Sequence, residues 1–282
     1  MKKTIILMLK KLLLLLSIVV SWGLKKTPSP LPHHGPPRLI VSALNHAHLD
    51  AYLIMRLSLL LVSNTRLQFI VLNDGSLTTT DKQLLQYLNV KVKSPKNVSQ
   101  WQDLKFTVIK TLFPSRSIIL VDSDVIFYRN PHDLFSLKTE AAYMKDCFSR
   151  YSLSQVEIEH YFGVTPLPKV NVGIVKINTR FIPKDLFAKV HTVINKVDLS
   201  RNVETRFIEQ TCYSILFSQF KKKQQPLLAL PDTYFLYPRA LYSQEKNPPN
   251  VTCLHYTSWS EVKRIKDSYT LLASLVTKRF SK

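Results

Sequence analysis

The feature that most constrains this chain is a strict alternation between residues 38 and 121. Short apolar runs there take turns with segments whose apolar residues recur at helical spacing. "RLIVSALN" reads as a buried strand ending at Asn45, and "AYLIMRLSLLLVSN" as a packed helix. "LQFIVLNDGS" is a second strand, stopped by the turn residues Asn73, Asp74 and Gly75. "TTTDKQLLQYL" follows as a Thr-capped helix, "NVKV" as a third strand, and "WQDLKFTVIKTLF" as an amphipathic helix. "SIILV" is a fourth strand. This order predicts an α/β domain whose sheet is mostly parallel and flanked by helices. Ligands of such sheets bind beyond the carboxyl ends of the strands. Asn45, Asp74, Asp122 and Asp124 all fall at those ends.

The second half is more mixed. "YSLSQVEIEHYF" carries a capping-box pattern, Ser154 with Glu157. "KVNVGIVKIN" reads as a strand, "PKDLFAKVHTVI" and "ETRFIEQTCYSILFSQF" as helices, and "LPDTYFLYP" as a loop or short strand. "SEVKRIKDSYTLLASLVTKRF" reads as a basic amphipathic helix. Three scattered cysteines form neither a C-x-x-C motif nor a disulfide framework, and are read as buried thiols.

Residues 1–26 precede the folded domain as a membrane-directed segment. Four lysines lead into an apolar run, Leu12 to Leu24, too short for an ordinary spanning helix. The lysines that follow at once suit an uncleaved anchor or interfacial helix better than a cleaved signal. Residues 27–37 form a Pro-rich linker in extended polyproline geometry, and residues 38–282 the domain. The net charge of +20 calls for an anionic partner. Its basic residues concentrate in the N-terminal segment, at Lys221–Lys223 and in the final helix, and no nucleic-acid-binding motif accompanies them. A membrane surface, not nucleic acid, accounts for that distribution. A cytoplasmic membrane face suits a bacterial protein, and a lumenal domain on a short stalk would carry the same kind of segment.

Two carboxylates one residue apart at a strand end, Asp122 and Asp124, suit a hard divalent cation such as Mn²⁺ or Mg²⁺. Such an ion would neutralise a leaving diphosphate. Taken alone, such a pair is more often two aspartates capping the next turn than a catalytic pair. "SIILVDSDVIFYRNPHDLF" resembles the D-x-D region of GT-A glycosyltransferases. "VLNDGSLTTTDKQLL", "VNVGIVKIN", "FIEQTCYSIL" and "LHYTS" resemble further pieces of such enzymes, in the same order. The chain is most similar to a bacterial D-x-D glycosyltransferase family and only distantly similar to glycogenin-type enzymes.

The resemblance implies a nucleotide-diphosphate sugar as donor and a glycan, lipid or protein as acceptor. It implies Asp122, Asp124 and His255 as metal ligands, with Asp122 and Ser123 also at the donor. Asn45 and Asp74 would line the nucleoside pocket, and Lys105 would face the donor. Asn171 and Gly173 would border the sugar and acceptor, and Glu209 and Gln210 would lie near the transferred sugar. If the reaction inverts configuration, Glu209 or Asp232 would be the base. The Gly and Lys that hold the diphosphate in glycogenin-type enzymes are out of register here, and Lys263 or Arg264 stands in their place.

Without the resemblance, helix patterning makes Lys105 a solvated lysine and Glu209 a surface residue, and position alone makes His255 a core histidine. Two rival functions stay open. In a haloacid-dehalogenase-like phosphatase Asp122 would be the nucleophile and Asp124 the acid/base. A non-catalytic basic protein of the membrane surface is the other.

Overall fold

The structure is a computed structural model that describes residues 36–95, 101–136, 138–146, 148–198, 207–237 and 251–256, and the single positions 270, 274 and 277. The membrane-directed segment, nearly all of the Pro-rich linker, Lys263 and the basic final helix, those single positions aside, lie outside the described residues. Among the described residues, no helix is long and apolar enough to cross a membrane. The chain forms two units. One comprises the residues up to Ser94, Asp122–Ser136 and those from Asp232; the other comprises Pro95–Val121 and Leu137–Pro231.

The first unit opens with three parallel strands in the order β3-β2-β1: β1 (Arg38–Leu44), β2 (Leu67–Asn73) and β3 (Lys91–Lys93). Parallel neighbours need a crossover, and two helices supply it. These are α1 (Leu49–Val62) and α2 (Thr79–Tyr87). In α1, ten of fourteen residues are buried, so it reads as apolar on all sides rather than as a stripe. Its one interior cation, Arg56, donates from Nη2 to Leu88 O at 2.7 Å and lies over the Phe69 ring. After β2 the Asn73 side chain accepts from the amides of Gly75 (3.0 Å) and Leu77 (3.2 Å), which folds the turn back on itself. Gly75 has φ +107°, a conformation that favours glycine.

The predicted Thr cap of α2 is a full capping box. Thr78 Oγ1 accepts from the Asp81 amide, and Asp81 Oδ2 accepts from the Thr78 amide. The same carboxylate oxygen meets His46 Nδ1 at 2.7 Å. Burial pushes the Asp81 carboxyl up, but the hydrogen bonds from His46 and Thr78 outweigh it and hold it below the usual carboxylate value.

A second sheet of this unit has the order β5-β10-β9: β5 (Val125–Phe127), β9 (Tyr234–Tyr237) and β10 (Cys253–Tyr256). Strand β5 follows the turn after Val121, and a five-residue helix, His132–Ser136, closes that segment. Strand β10 runs antiparallel to β5 and parallel to β9.

The second unit has four strands in the order β4-β7-β6-β8: β4 (Ser117–Val121), β6 (Ala141–Lys145), β7 (Val170–Asn178) and β8 (Leu227–Ala229). Strand β7, buried along almost its whole length, is antiparallel to both neighbours, whereas β6 and β8 are parallel. Its helices are α3 (Thr107–Leu112), α5 (Gln155–Phe162), α6 (Leu186–Asp198) and α7 (Ile208–Lys222), the His132–Ser136 helix of the first unit being α4. The Ser154–Glu157 capping box forms as expected.

One helix departs from expectation. "WQDLKFTVIKTLF" is a 3₁₀ turn, Trp101–Lys105, followed by α3. The break is Phe106 (φ −123°, ψ −83°). Its buried ring packs 4.5 Å from Tyr213 and 6.0 Å from Phe187, so tertiary packing overrides the helical pattern. Cys212 and Cys253 are buried thiols in no disulfide, as read from the sequence.

Because the Asp81 value is depressed on folding, its contribution is present above the ordinary carboxylate value and lost as pH falls through the folded one. Asp81→Asn is therefore expected to cost about 1 to 2 kcal/mol near neutral pH. The difference from wild type should begin to shrink as pH falls below about 4 and vanish only below the depressed folded value, which urea unfolding at a series of pH values measures.

Candidate metal and donor site

The first unit builds the site from two distant pieces of chain. Apolar β4 ends at Val121, and Asp122–Asp124 turn the backbone, with the Val125 amide donating to Asp122 O at 3.3 Å. Strand β5 then enters the first unit's core. Its Phe127 amide donates to Ser58 Oγ of α1 at 3.1 Å. Pairing with β10 sets Val125 opposite His255, and the Tyr256 amide donates to Asp124 O at 3.0 Å. The register therefore delivers the imidazole: His255 Nε2 lies 3.2 Å from Asp124 Oδ1 and 3.6 Å from Asp122 Oδ2. The position behind it is tied by Tyr128 Oη to Tyr256 Oη at 2.7 Å and by the Tyr128 and Arg129 amides, both donating to Thr252 O.

One ligand atom from each of Asp122, Asp124 and His255 lies within 4.8 Å of the others. His255 is buried and both aspartates are half-buried. Two hard oxygen donors and one imidazole fit a divalent cation of the Mn²⁺ type, and three protein atoms leave coordination positions open for a ligand. His255 is thus not a plain core histidine. Ser123 sits half-buried within the same turn.

Asn45 and Asp74 emerge side by side from neighbouring strands. Leu44 and Asn73 are register partners, and the Asp74 amide donates to Leu44 O at 3.3 Å. Their side chains also hold local turns. Asn45 Oδ1 accepts from the His48 amide at 3.0 Å, and Asp74 Oδ1 accepts from the amide and hydroxyl of Ser76. Asp232 lies exposed between β8 and β9.

The second unit gathers the other named residues by itself. Lys105 Nζ donates to Glu209 Oε2 at 2.9 Å, with side-chain exposures of 4% and 7%. Neither the solvated lysine nor the surface glutamate of the helix patterning is found. The 3₁₀ turn aims Lys105 inward, and α7 is buried along nearly its whole length. Gln210, next to Glu209, donates from Nε2 to Asp146 Oδ2 (2.9 Å) and Val170 O (3.2 Å). Asn171 Nδ2 reaches the same carboxylate oxygen at 3.4 Å, while its Oδ1 accepts from the Gly173 amide at 2.8 Å. Asp146 is the organiser of this cluster, and the sequence reading missed it. The signal available was an aspartate at the end of a buried run, "AAYMKD", the same signature that singles out Asp122.

No family model matches the sequence, and no curated protein matches it. Solved structures do match. The bifunctional glycosyltransferase WbbM in its apo form aligns at TM-score 0.58 and 12% identity over 86% of this chain and 50% of that one. This chain thus spans half the length of that protein. The galactosyltransferase LgtC, in complex with donor and acceptor sugar analogs, aligns at TM-score 0.55 and 14% identity over 84% and 95%. Mouse xyloside xylosyltransferase 1, apo form, aligns at TM-score 0.50 and 12% identity over 78% and 97%. The chain therefore has the GT-A-like fold that its D-x-D strand end suggested.

The buried ion pair gives a stability test. Lys105→Met or Glu209→Leu alone strands a buried charge and is expected to cost about 3 to 5 kcal/mol, whereas the double substitution is near neutral. Denaturant unfolding of the three variants measures the coupling.

Proposed function

We propose that this chain is a metal-dependent glycosyltransferase that moves a sugar from a nucleotide-diphosphate sugar to an acceptor hydroxyl. The observation that carries the reading is the convergence of Asp122, Asp124 and His255 on a GT-A-like fold. A phosphoaspartate mechanism of the dehalogenase type has no use for an imidazole lying across both carboxylates.

In this reading Asp124 and His255 are direct ligands and Asp122 is shared between metal and donor ribose. The chemistry a divalent cation held by these residues would supply is neutralisation of charge on the departing nucleoside diphosphate. Mn²⁺ suits the mixed donor set better than Mg²⁺, which prefers all-oxygen coordination. Strand β10 fixes the position of His255 by backbone pairing, so the imidazole is placed before any ligand arrives. Asn45 and Asp74 take the nucleoside side. Ser123 lies in the metal-binding turn and takes the donor side with Asp122. In the second unit the resemblance gives Glu209, Gln210, Asn171 and Gly173 the sugar side, with the Gln210 amide oriented by Asp146 and the Val170 carbonyl. Lys105, paired with Glu209, acts by holding that carboxylate in place rather than as a free cation. Asp232, exposed, is the alternative base, and Lys263 is assigned to the diphosphate. The acceptor is a glycan, lipid or protein, and the N-terminal segment keeps the enzyme at a membrane.

Calorimetry of the full chain with UDP and GDP, with and without Mn²⁺, tests this. Nucleotide binding is expected to require the metal. Asp124→Asn or His255→Ala should weaken it by at least about a hundredfold, since even outer-shell changes at metal sites cost about ten- to a hundredfold. Circular dichroism should be unchanged. Metal-independent binding that survives Asp124→Asn refutes the mechanism.

A further inference from the structure

The second unit carries a cavity of about 430 Å³ that none of the candidate metal, donor or sugar residues lines. It lies among α3, the 3₁₀ turn after β7, the entry to α6 and the end of α7. Four cations face it: Lys110, Arg180, Lys184 and Lys223. One carboxylate, Glu140, meets Arg180 at 2.7 Å, and the nearby Asp185 is engaged by Lys189. Among the described residues, no carboxylate pairs with Lys110, Lys184 or Lys223. The carbonyls at the end of α7 bring roughly half a negative charge, which leaves a clear cationic excess.

Two of the cations, Lys110 and Arg180, are held in place. Lys110 Nζ donates to Thr179 O (2.9 Å) and Arg180 O (2.8 Å), which uses two of its three donors. The Arg180 guanidinium lies over the Phe181 ring at 4.5 Å. Burial, and then the Lys184 charge, hold the Lys110 ammonium below the ordinary lysine value. The cavity also has an apolar side, where Phe181 and Phe220 meet edge to face at 5.0 Å.

We infer that this cavity binds a phosphomonoester group carried on an apolar body. A phosphomonoester brings about −1.5 to −2 charges at neutral pH and three acceptor oxygens, matching the cationic excess. The half-buried Phe181 ring suits the apolar part. The same chemistry is offered by a phosphatidic-acid headgroup in a membrane and by a soluble alkyl phosphate. The inference does not depend on the glycosyltransferase reading.

The test uses the full chain in metal-free buffer, so that the Asp122–Asp124–His255 cluster holds no cation to attract phosphate. Hexyl phosphate and inorganic phosphate are titrated by calorimetry, and the chain is partitioned onto phosphatidylcholine vesicles with and without phosphatidic acid. Hexyl phosphate should bind tighter than inorganic phosphate. Lys184→Gln/Lys223→Gln, both on the surface, should weaken it roughly twenty-five-fold, about fivefold for each basic residue. The charge-matched Lys91→Gln/Lys93→Gln on β3 should not. A preference for phosphatidic acid lost in the cavity variant assigns the lipid source; hexyl phosphate binding without that preference assigns the soluble one. Equal weakening by both double variants, or no binding of hexyl phosphate together with no phosphatidic-acid preference, overturns the inference.

Discussion

Asp122 and Asp124 place two like charges on one turn, within 4.8 Å of a common partner group. At that separation their repulsion is on the order of 3 kcal/mol in a partly solvated setting. The first unit is organised around holding them there. Ser58 on the buried helix α1 fastens β5, β5 fixes the register of β10, and β10 presents His255 to both carboxylates. Each step uses the backbone, so the ligand set does not depend on long flexible side chains.

The second unit solves a different electrostatic problem. At the residues named for the site its charges are buried and paired: Lys105 with Glu209, and Asp146 with the amides of Gln210 and Asn171. Such a closed network contributes little net stability compared with an apolar core, but it fixes orientation, because every alternative rotamer leaves a buried group unmatched. The two neighbours Glu209 and Gln210 therefore point in directions set by different partners.

Strands β1, β2, β4 and β7 were legible because each is built on a mainly apolar run, and the caps of α2 and α5 because the spacing of Thr78 with Asp81 and of Ser154 with Glu157 is local. The strands β5, β6, β8 and β10 were not. Three to five residues long, they exist through pairing with segments far away in sequence, and no local pattern announces them. Lys105 was misread from helical periodicity because Phe106 breaks the helix to bury its ring. His255 was named through resemblance; position alone pointed to a core histidine, and only the β5–β10 register shows why it meets the aspartates. Asp146 went unseen because its partners, Gln210 and Asn171, lie on other elements.

The pairing of β5 with β10 joins residues as far apart as Tyr128 and Tyr256, 128 positions along the chain. Closing so long a loop is slow, since its entropy is lost before the contacts it brings are gained. During synthesis the aspartate turn leaves the ribosome long before its histidine does. The chain thus passes through a stage in which a carboxylate pair stands alone, and the complete ligand set is among the last features of the first unit to form.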